Sequence, residues 1–381
     1  MTLRVNKRKI PVIPDPKPLG SYKQEDAIFL LKDISDVPLE INNVDREQKI
    51  QSGIHYSEML PVEYQPSTAY LDLFKETLEN NAKYVALASG VVAELIQTKR
   101  GEKLVLASLA RAGTPIGVLI TRYLQFAYQV KVPHYSISII RGKGFDENAL
   151  HYILQNHPDS QIQFVDGWTG KGAITKVLQD ACSEFENKFG ILLNPDLAVL
   201  ADPGHCVSTF GTREDYLIPS AALNSTVSGL MSRTVHRDDL IGPTDFHGSK
   251  FYKEWESDDL SNYFVDTISS FFAQITQEAK EVAKAMLENP ADVTWKGLRD
   301  IKRIQETFGI DDMNLVKPGI GETTRVLLRR VPWKILVNSL ENPYLEHVYL
   351  LAKDRDVPVE VYPELTYSCC GLIKSVKGEE A

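Results

Sequence analysis

Residues 161–174 read QIQFVDGWTGKGAI, and the order of features in this stretch defines the fold class. Its first half is a strand-like run that ends in the acid Asp166. A turn rich in glycine follows at once, and a helix is predicted from about Ala173. A strand, a short turn and a helix in this order form half of a βαβ unit, so the segment predicts a parallel sheet.

The same order of elements occurs on both sides of this stretch. Further strands are predicted at 103–109, 134–140 and 197–202. Repeated strand, loop and helix indicate an α/β domain with a parallel sheet, in which ligands bind at the carboxyl ends of the strands. Three chemically unusual segments leave strands at that edge: SLARAGTP (108–115), VDGWTGKG (165–172) and ADPGHC (201–206).

Changes of pattern divide the chain of 381 residues into four parts. Residues 1–20 are rich in proline and basic side chains, so we expect an extended amino-terminal arm. The α/β domain is assigned to 21–257, a helical segment to 258–314 and a small second α/β domain to 315–381.

Composition and charge predict a soluble protein of the cytoplasm. The net charge of −9 gives no wholesale attraction to nucleic acid or to a membrane, and no apolar run approaches the roughly 20 residues that cross a bilayer. The amino terminus lacks the apolar core of a signal peptide. The four cysteines match neither a zinc site nor a disulfide framework, which suits a reducing compartment: Cys182, Cys206, Cys369 and Cys370.

The turn after Asp166 has three interpretations: a plain strand-end turn, a nucleotide-binding P-loop, or a cup for one phosphate and a ribose. The P-loop spacing fails because two residues, not four, separate Gly167 from Gly170. The cup is favoured because amides at a helix start bind phosphate, while a carboxylate accepts hydrogen bonds from ribose hydroxyls. The predicted phosphate- and ribose-binding residues are Asp166, Thr169, Gly170, Lys171 and Gly172.

This segment resembles the phosphoribosyl-pyrophosphate loop of the phosphoribosyltransferase fold, with IQFV as the strand, Asp166 as the acid and Thr169-Gly170 before the helix. Gly167 stands where that family has a second acid. LVLASLARAGTPIG resembles the family's pyrophosphate loop. The resemblance implies a phosphoribosyltransferase that uses phosphoribosyl pyrophosphate with Mg²⁺ and a nitrogenous acceptor. Its diphosphate-binding residues would be Ala110, Arg111, Ala112 and Gly113.

Two further groups complete the predicted transferase site. Arg141 and Lys143 lie on a glycine-hinged loop that either closes over the departing diphosphate, as catalytic residues with Asp166, or is a plain solvated turn. The segment 201–235 is long, polar and directly follows a strand, so it is the predicted acceptor pocket. Its candidate residues are Asp202, His205, Arg213, Asn224, Ser225 and Thr226.

A nucleophilic cysteine is the alternative from another enzyme class. Cys206 lies at the same sheet edge, with His236 or His247 as a base and Asp202 or Asp245 to orient it. His205 is a poor base for Cys206 because adjacent residues of a strand point in opposite directions. VDGWTGKG, GHCVSTFGTREDYLIPSA and NSTVSGLMSRTV together resemble a bacterial family found beside tellurite-resistance genes. That family is catalogued both as phosphoribosyltransferase-like and as a StiP-type cysteine protease.

The carboxyl-terminal domain resembles the Pelota and L7Ae-like RNA-binding fold. GIGETTRVLLRR matches a turn of the form G-x-N-E-x-T-K at a helix start, with Gly321 in place of the asparagine and Arg325 in place of the lysine. The resemblance implies contact with structured RNA through a basic face. The predicted RNA-binding residues are Gly321, Glu322, Thr324, Arg325 and Arg329.

Three functions therefore follow from the sequence. The favoured one is a magnesium-dependent phosphoribosyltransferase with an RNA-binding appendage, because two phosphate-type loops are visible and no Cys-His pair is. The first alternative is a cysteine protease that uses Cys206. The second is a non-catalytic RNA-binding protein with a degenerate pocket, for which Gly167 is the main argument. A homodimer is also implied, since members of the family often dimerise.

Overall fold

The computed structural model describes residues 12–373; the side chains of five residues in this range are not described: Asn43, Val44, Glu47, Gln51 and Arg329. The predicted extended arm falls largely on residues 1–11, which lie outside the described residues. Within 12–373, no helix is long and apolar enough to cross a membrane.

A parallel sheet forms the centre of the first part of the chain. The strands of this part are β1 (Ile28–Phe29), β2 (Lys32–Asp33), β3 (Glu40–Ile41), β4 (Leu60–Pro61), β5 (Leu104–Leu109), β6 (His134–Ile137), β7 (Ile139–Ile140), β8 (Gly144–Phe145), β9 (Gln161–Trp168), β10 (Leu197–Ala201), β11 (Thr209–Thr212) and β12 (Gly248–Ser249). In the described range six of them form one sheet in the order β1-β6-β5-β9-β10-β11, with every pairing parallel. The predicted α/β architecture with a parallel sheet is confirmed.

Helices cover this sheet, so every residue of β5 is buried. The helices of this part are α1 (Asn43–Gln51), α2 (Thr68–Arg100), α3 (Gly113–Tyr128), α4 (Glu147–Asn156), α5 (Ala173–Phe189), α6 (Ser261–Ser269) and α7 (Phe272–Glu288). α2 is one continuous helix of 33 residues. Small side chains allow α7 to pack closely on it, and a Cβ added at Gly90 would lie 3.0 Å from Cβ of Ala279.

The strand predicted at 134–140 is interrupted at Ser138. Its hydroxyl is 2.8 Å from Nδ1 of His247, and its carbonyl accepts a hydrogen bond from the amide of Asp146. After this break β7 pairs with β8 in an antiparallel hairpin. The loop that contains Arg141 and Lys143 is therefore the turn of a hairpin beside the main sheet.

The second part of the chain has a mixed sheet of its own. Its elements are α8 (Lys296–Phe308), β13 (Val316–Pro318), α9 (Ile320–Arg329), β14 (Pro332–Val337), α10 (Glu346–Asp354), β15 (Val359–Val361) and β16 (Cys369–Ile373). The strand order is β13-β16-β14-β15; only the pairing of β14 with β15 is parallel among these described strands.

The helical segment predicted at 258–314 contributes to both parts. Phe264 of α6 and Ile275 of α7 join the core beneath the parallel sheet. Ile301 and Ile304 of α8 pack instead with Leu336 of the second sheet. The domain boundary at residue 315 stays a prediction.

Candidate active site

The three unusual segments at the carboxyl edge of the parallel sheet lie in contact. A Cβ added at Gly113 would be 2.4 Å from the carbonyl oxygen of Val165, and one at Gly204 would be 1.9 Å from that of Gly170. Only glycine permits such close backbone approach. The segments that follow β5, β9 and β10 therefore lie together at one edge of the sheet; that they form a functional site stays a prediction.

Asp202 organises the loop after β10. Its carboxylate is fully buried and accepts hydrogen bonds from the Thr169 hydroxyl at 2.6 Å and the Cys206 amide at 2.7 Å. Nε of Arg213 lies 3.5 Å from the same carboxylate. Burial raises the pKa of Asp202, and the bonds from Thr169 and Cys206 oppose that effect. Asp202 thus fixes the backbone that carries Cys206.

The Cys206 thiol is enclosed. Its Sγ is 3.4 Å from the carbonyl oxygen of Gly204 and 3.6 Å from that of Gly170, and the residue is 2% exposed. Burial, together with the nearby carboxylate of Asp202, raises the pKa of the thiol to about 12. In this conformation Cys206 is a protonated thiol that donates to backbone carbonyls.

The second part of the chain covers Cys206. We call the groups that do so the cover: Trp295, Gly297 and Tyr367. The amide of Trp295 donates to the carbonyl of His205 at 2.9 Å, that of Gly297 to Gly204 at 3.1 Å, and the Tyr367 hydroxyl to Gly170 at 3.1 Å. A Cβ added at Gly297 would lie 1.9 Å from the Tyr367 oxygen. The thiol is reachable only if the cover moves.

The imidazole groups suggested as partners of Cys206 do not reach it. Within the described residues the hydrogen-bond contacts of the Cys206 thiol are to backbone carbonyls. The rings of His236 and His247 lie 4.5 Å from each other, and His247 bonds to Ser138 at the end of β6. β6 and β10 are three strand spacings apart, about 14 Å. Asp245, proposed to orient them, pairs with Lys32.

The predicted phosphate cup is already occupied by protein groups. The amide of Thr169 donates to Ala201 at 3.0 Å, and its hydroxyl to Asp202. Nζ of Lys171 donates to the carbonyl of Met313 at 2.7 Å. Gly172 has a φ of +76°, and a Cβ there would be 2.2 Å from the Trp295 ring. These groups do not converge on an open anion site.

Asp166 lies beside this turn, and its carboxylate accepts few hydrogen bonds from the described residues. Its carboxylate accepts a bond from the adjacent amide of Gly167 at 2.7 Å. Burial raises the pKa of Asp166 to about 7. A carboxyl group in this setting is poorly solvated when ionised.

We expect Asp166→Asn to remove part of the pH dependence of stability. Because the pKa of Asp166 is raised in the folded state, the folded protein holds a proton that the unfolded chain releases between about pH 4 and pH 7. The contribution of Asp166 to the free energy of unfolding is therefore most favourable below pH 4 and decreases as the pH rises to 7. Urea denaturation at pH 8 should show the variant more stable by about 1–2 kcal/mol, a discounted value because the side chain is only half-buried.

The difference between Asp166→Asn and the wild-type protein should be small at pH 4. Asp159→Asn is the matched control, since Asp159 is exposed and pairs with Lys103 on the surface. Equal stability of Asp166→Asn and wild type at pH 8 would contradict this account of Asp166.

Two of the other predicted transferase groups, Arg111 and Lys143, are also engaged, whereas Arg141 is not. Nη1 of Arg111, in the loop Ala110–Gly113, contacts Glu63 at 3.2 Å and the carbonyl of Met231 at 3.1 Å. Nζ of Lys143 donates to the carbonyl of His236 at 3.0 Å. Arg141 is exposed, and its side chain makes no hydrogen bond or ion pair with the described residues.

The residues of the predicted acceptor pocket separate into two groups. Asn224, Ser225 and Thr226 belong to a segment that contacts Leu260, through the Thr226 carbonyl, and Tyr22, through Val227. His205 and Arg213 instead line a cleft of about 560 Å³ between the two parts of the chain. Among the described residues, no group of three or more His, Cys, Asp or Glu side chains is arranged to hold a metal ion.

The amino end of α9, where RNA contact was predicted, faces the first part of the chain. Asp215 accepts hydrogen bonds from the amides of Ile320 at 3.0 Å and Ser368 at 2.8 Å. Burial raises the pKa of Asp215 to about 6, and the two bonds oppose that effect. A carboxylate of the first part thus occupies the anion position at this helix start.

The predicted RNA-binding residues are distributed around this contact. Gly321 packs on Ala221, where an added Cβ would meet the Ala221 Cβ at 3.2 Å. Arg325 donates from Nε to the Ala221 carbonyl at 3.1 Å, and Thr324 is buried, with its Oγ1 3.1 Å from Nε2 of His347. Glu322 is half-buried, and the side chain of Arg329 lies outside the described residues.

Comparison with known proteins assigns the chain to a family. A family model described as "Tellurite-like stress resistance cysteine protease StiP" matches residues 20–269, more than half of the chain. The chain belongs to the StiP family. A relative named "Cysteine protease StiP", from Acinetobacter baylyi (strain ATCC 33305 / BD413 / ADP1), is 32% identical over 352 residues, which cover 90% of each chain. A second family model, described as "PELOTA RNA binding domain", matches residues 295–375.

Membership of the StiP family corrects the favoured interpretation. The family and the relative carry the name of a cysteine protease, so the prediction of a phosphoribosyltransferase was wrong. The physical reason lies in the turn after β9, where Thr169 and Lys171 bond to protein groups. Mg²⁺ and phosphoribosyl pyrophosphate were expected only as parts of that reaction. The resemblances to the tellurite-associated StiP family and to the Pelota domain are confirmed.

Sequence reasoning missed the residues that enclose Cys206. Trp295 and Tyr367 are far from Cys206 along the chain, and neither belongs to a recognisable motif. Gly297 follows Trp295 at a helix start, which predicts a helix boundary but not the partner on which it packs. Asp215 was visible only as one acid in a long polar segment.

Proposed function

We propose that this member of the StiP family is a cysteine peptidase and that Cys206 is its nucleophile. Cys206 is chosen among the four cysteines because of its position in the fold. Cys206 lies in a loop at the carboxyl edge of the parallel sheet, beside the cleft lined by His205 and Arg213. Cys182 lies within α5, and Cys369 and Cys370 lie within β16, where a regular element holds each backbone.

The chemistry needs a thiolate and a base. The Cys206 Sγ would attack the carbonyl carbon of a peptide bond, forming an S–C bond while the carbonyl π electrons move to oxygen. Collapse would break the C–N bond, and the amine would leave with the proton that the base took from the thiol. Water would then hydrolyse the thioester and return the thiol and a carboxylic acid.

His205 is the base that we propose. It lines the cleft, and its φ of +54° places it in a turn, so the argument that adjacent strand residues point apart does not apply to it. Burial and the nearby charge of Arg213 lower the pKa of His205, which leaves its imidazole neutral and able to accept a proton near pH 7. The Trp295 amide bonds to its carbonyl, so the cover also restrains this residue.

The closed conformation is a resting state in this proposal. With a pKa of about 12, roughly one Cys206 thiol in 10⁵ is ionised at pH 7. Peptide cannot approach the thiol while the cover lies over it, since the residue is 2% exposed. Activity therefore requires the second part of the chain to move away from the loop after β10.

The test of this function is peptide-bond hydrolysis by the full chain. A mixture of unstructured peptides should yield new amino termini, and iodoacetamide treatment should stop their formation as Cys206 becomes modified. Mass spectrometry of the treated protein gives the modified fraction of each of the four cysteines. Hydrolysis that survives complete modification of Cys206, or no hydrolysis under any condition in which Cys206 can be modified, would refute the proposal.

RNA binding is a second candidate function, favoured by the PELOTA match over residues 295–375. The amino end of α9 is held by Asp215, so RNA that uses this end must displace the first part of the chain. We expect Asp215→Ala to bind a short structured RNA more tightly than the wild type, by about tenfold, as the competing contact is lost. Fluorescence anisotropy with labelled RNA measures this. Weaker binding by the variant would contradict the role of Asp215 as a competitor.

A further inference from the structure

A cluster of cations lies where the two parts of the chain meet. We call it the basic cluster, and it surrounds the carboxylate of Glu322. Arg141 comes from the hairpin turn between β7 and β8, Lys171 from the turn after β9, and the others from β13, α9 and the segment before β12. Its members are Arg141, Lys171, Arg233, Lys317 and Arg325.

Contacts place Lys317 and Arg325 beside Glu322 and bring Lys171 close to β13. Oε2 of Glu322 is 3.9 Å from Nζ of Lys317, and Oε1 is 3.6 Å from Nη1 of Arg325. Lys171 reaches the carbonyl of Met313, three residues before β13 begins. The Arg325 guanidinium lies over the ring of Trp168, 5.4 Å from its centroid, which joins α9 to the end of β9.

Two of the cations have no protein acceptor. The guanidinium groups of Arg141 and Arg233 make no hydrogen bond or ion pair with the side chains or backbone that the structure describes. Arg233 is open to solvent, although Arg111 and Arg325 approach it. Arg111 bonds to the carbonyl of Met231, which brings the backbone before Arg233 to the loop after β5. An arginine that faces other cations and bonds to no carboxylate has N–H donors available to an anion.

Electrostatic effects within the basic cluster agree with this geometry. Burial, together with the charges of Lys317 and Arg141, lowers the pKa of Lys171 to about 8. Burial would raise the pKa of Glu322, but Arg325, Lys317 and Arg233 lower it. Glu322, Asp312 and Glu63 act on these cations but are outnumbered by them, and an added anion would relieve the remaining repulsion.

We infer that the basic cluster binds a small ligand that carries phosphate groups and bridges the two parts of the chain. Guanidinium groups bind phosphate through paired N–H donors, and ammonium groups add point charges. A small anion fits better than a long nucleic acid, because the whole chain carries a net charge of −9 that repels an extended polyanion. The ligand is thus distinct from any RNA bound at the amino end of α9.

A bridging ligand would hold the cover in place. Arg141, Lys171 and Arg233 belong to the first part of the chain, whereas Lys317 and Arg325 belong to the second. A ligand that needs both sets binds the closed conformation better and shifts the population toward it. We expect such a ligand to inhibit peptide hydrolysis, and this expectation rests on the proposed peptidase activity. The binding of the ligand does not depend on that activity.

The test uses the full chain with inorganic tripolyphosphate as the probe. We expect tripolyphosphate to raise the thermal midpoint at low ionic strength and to slow iodoacetamide modification of Cys206. Arg233→Gln should need at least about tenfold more tripolyphosphate for the same stabilisation, since it removes a charged hydrogen-bond donor. Lys284→Gln is the matched control, because Lys284 is an exposed cation of α7 that pairs with Glu288.

The possible results separate the inference from the proposed function. Stabilisation by tripolyphosphate that Arg233→Gln weakens and Lys284→Gln leaves unchanged supports the inference, whether or not the protein cleaves peptides. No stabilisation of the wild type, an equal effect on Arg233→Gln and wild type, or stabilisation by a short RNA alone would overturn it.

Discussion

Peptide hydrolysis should fall at least about 10³-fold in Cys206→Ser, because a serine hydroxyl is far less acidic than a thiol and the proposed base His205 would ionise it poorly. The substitution changes one atom and preserves the size of the side chain, so the bonds to Asp202 should persist. The variant should therefore unfold within a few degrees of the wild type. Steady-state hydrolysis of an unstructured peptide, with a thermal melt of the same sample, measures both quantities.

Cys182→Ser is the matched control for Cys206→Ser. Cys182 is also buried, and burial raises the pKa of its thiol to about 12, but it lies in the core between α5 and its neighbours. Cys182→Ser should retain hydrolysis at the wild-type rate, with a modest loss of stability. Equal activity in Cys206→Ser and wild type, or equal losses in the two variants, would remove Cys206 from the catalytic step.

Asp215→Ala should open the cover and accelerate iodoacetamide modification of Cys206 by about 30-fold or more. Two buried amides, of Ile320 and Ser368, lose their acceptor in this variant. Leaving both amides unsatisfied destabilises the closed conformation by about 2 kcal/mol or more. This free-energy difference raises the population of the open conformation about 30-fold. The rate of peptide hydrolysis should rise with the open population if opening of the cover limits activity. The second-order rate of Cys206 modification, read by mass spectrometry, gives the change.

Two further variants make the test of the cover specific. Asp215→Asn keeps one of the two acceptor oxygens and sets an NH₂ donor against the other amide, so its rate of Cys206 modification should lie between those of the wild type and Asp215→Ala. Gly297→Ala should open the cover from the other side, because its Cβ cannot fit against the Tyr367 oxygen. Modification of Cys182 in the same samples must stay slow, since acceleration of both thiols would indicate general unfolding. Unchanged Cys206 modification in both Asp215→Ala and Gly297→Ala would contradict the role assigned to the cover.

The sequence predicted the frame of the candidate site because its signals are local. Residues 104–109 and 162–165 are buried on both faces and appear as strands, and parallel order brings the carboxyl ends of these strands to one edge. The glycines at 113 and 204 allow the loops to touch. These features follow from the hydrophobic pattern of adjacent residues, from glycine positions, and from the common direction of strands in a parallel sheet.

The chemistry of the site depends on contacts between distant residues, which the sequence does not encode locally. Thr169 and Lys171 have the residue types of a phosphate cup, but Asp202 and Met313 take their hydrogen-bonding groups. Cys206 lies in the predicted loop, yet its burial is set by Trp295 and Tyr367 from the second part of the chain. The interpretation as a transferase failed because residue type and spacing were visible while these partners were not.

Trapping of the acyl-enzyme tests the assignment of Cys206 most directly. The full chain with Asp215→Ala, which favours the open state, is mixed with an activated peptide ester and quenched in acid, where a thioester survives. Mass spectrometry of the digested protein should find the acyl group on the peptide that contains Cys206, and none on the peptides of Cys182, Cys369 or Cys370. Turnover of the ester with the acyl group on another residue, or with no acyl group on any cysteine, would contradict the account.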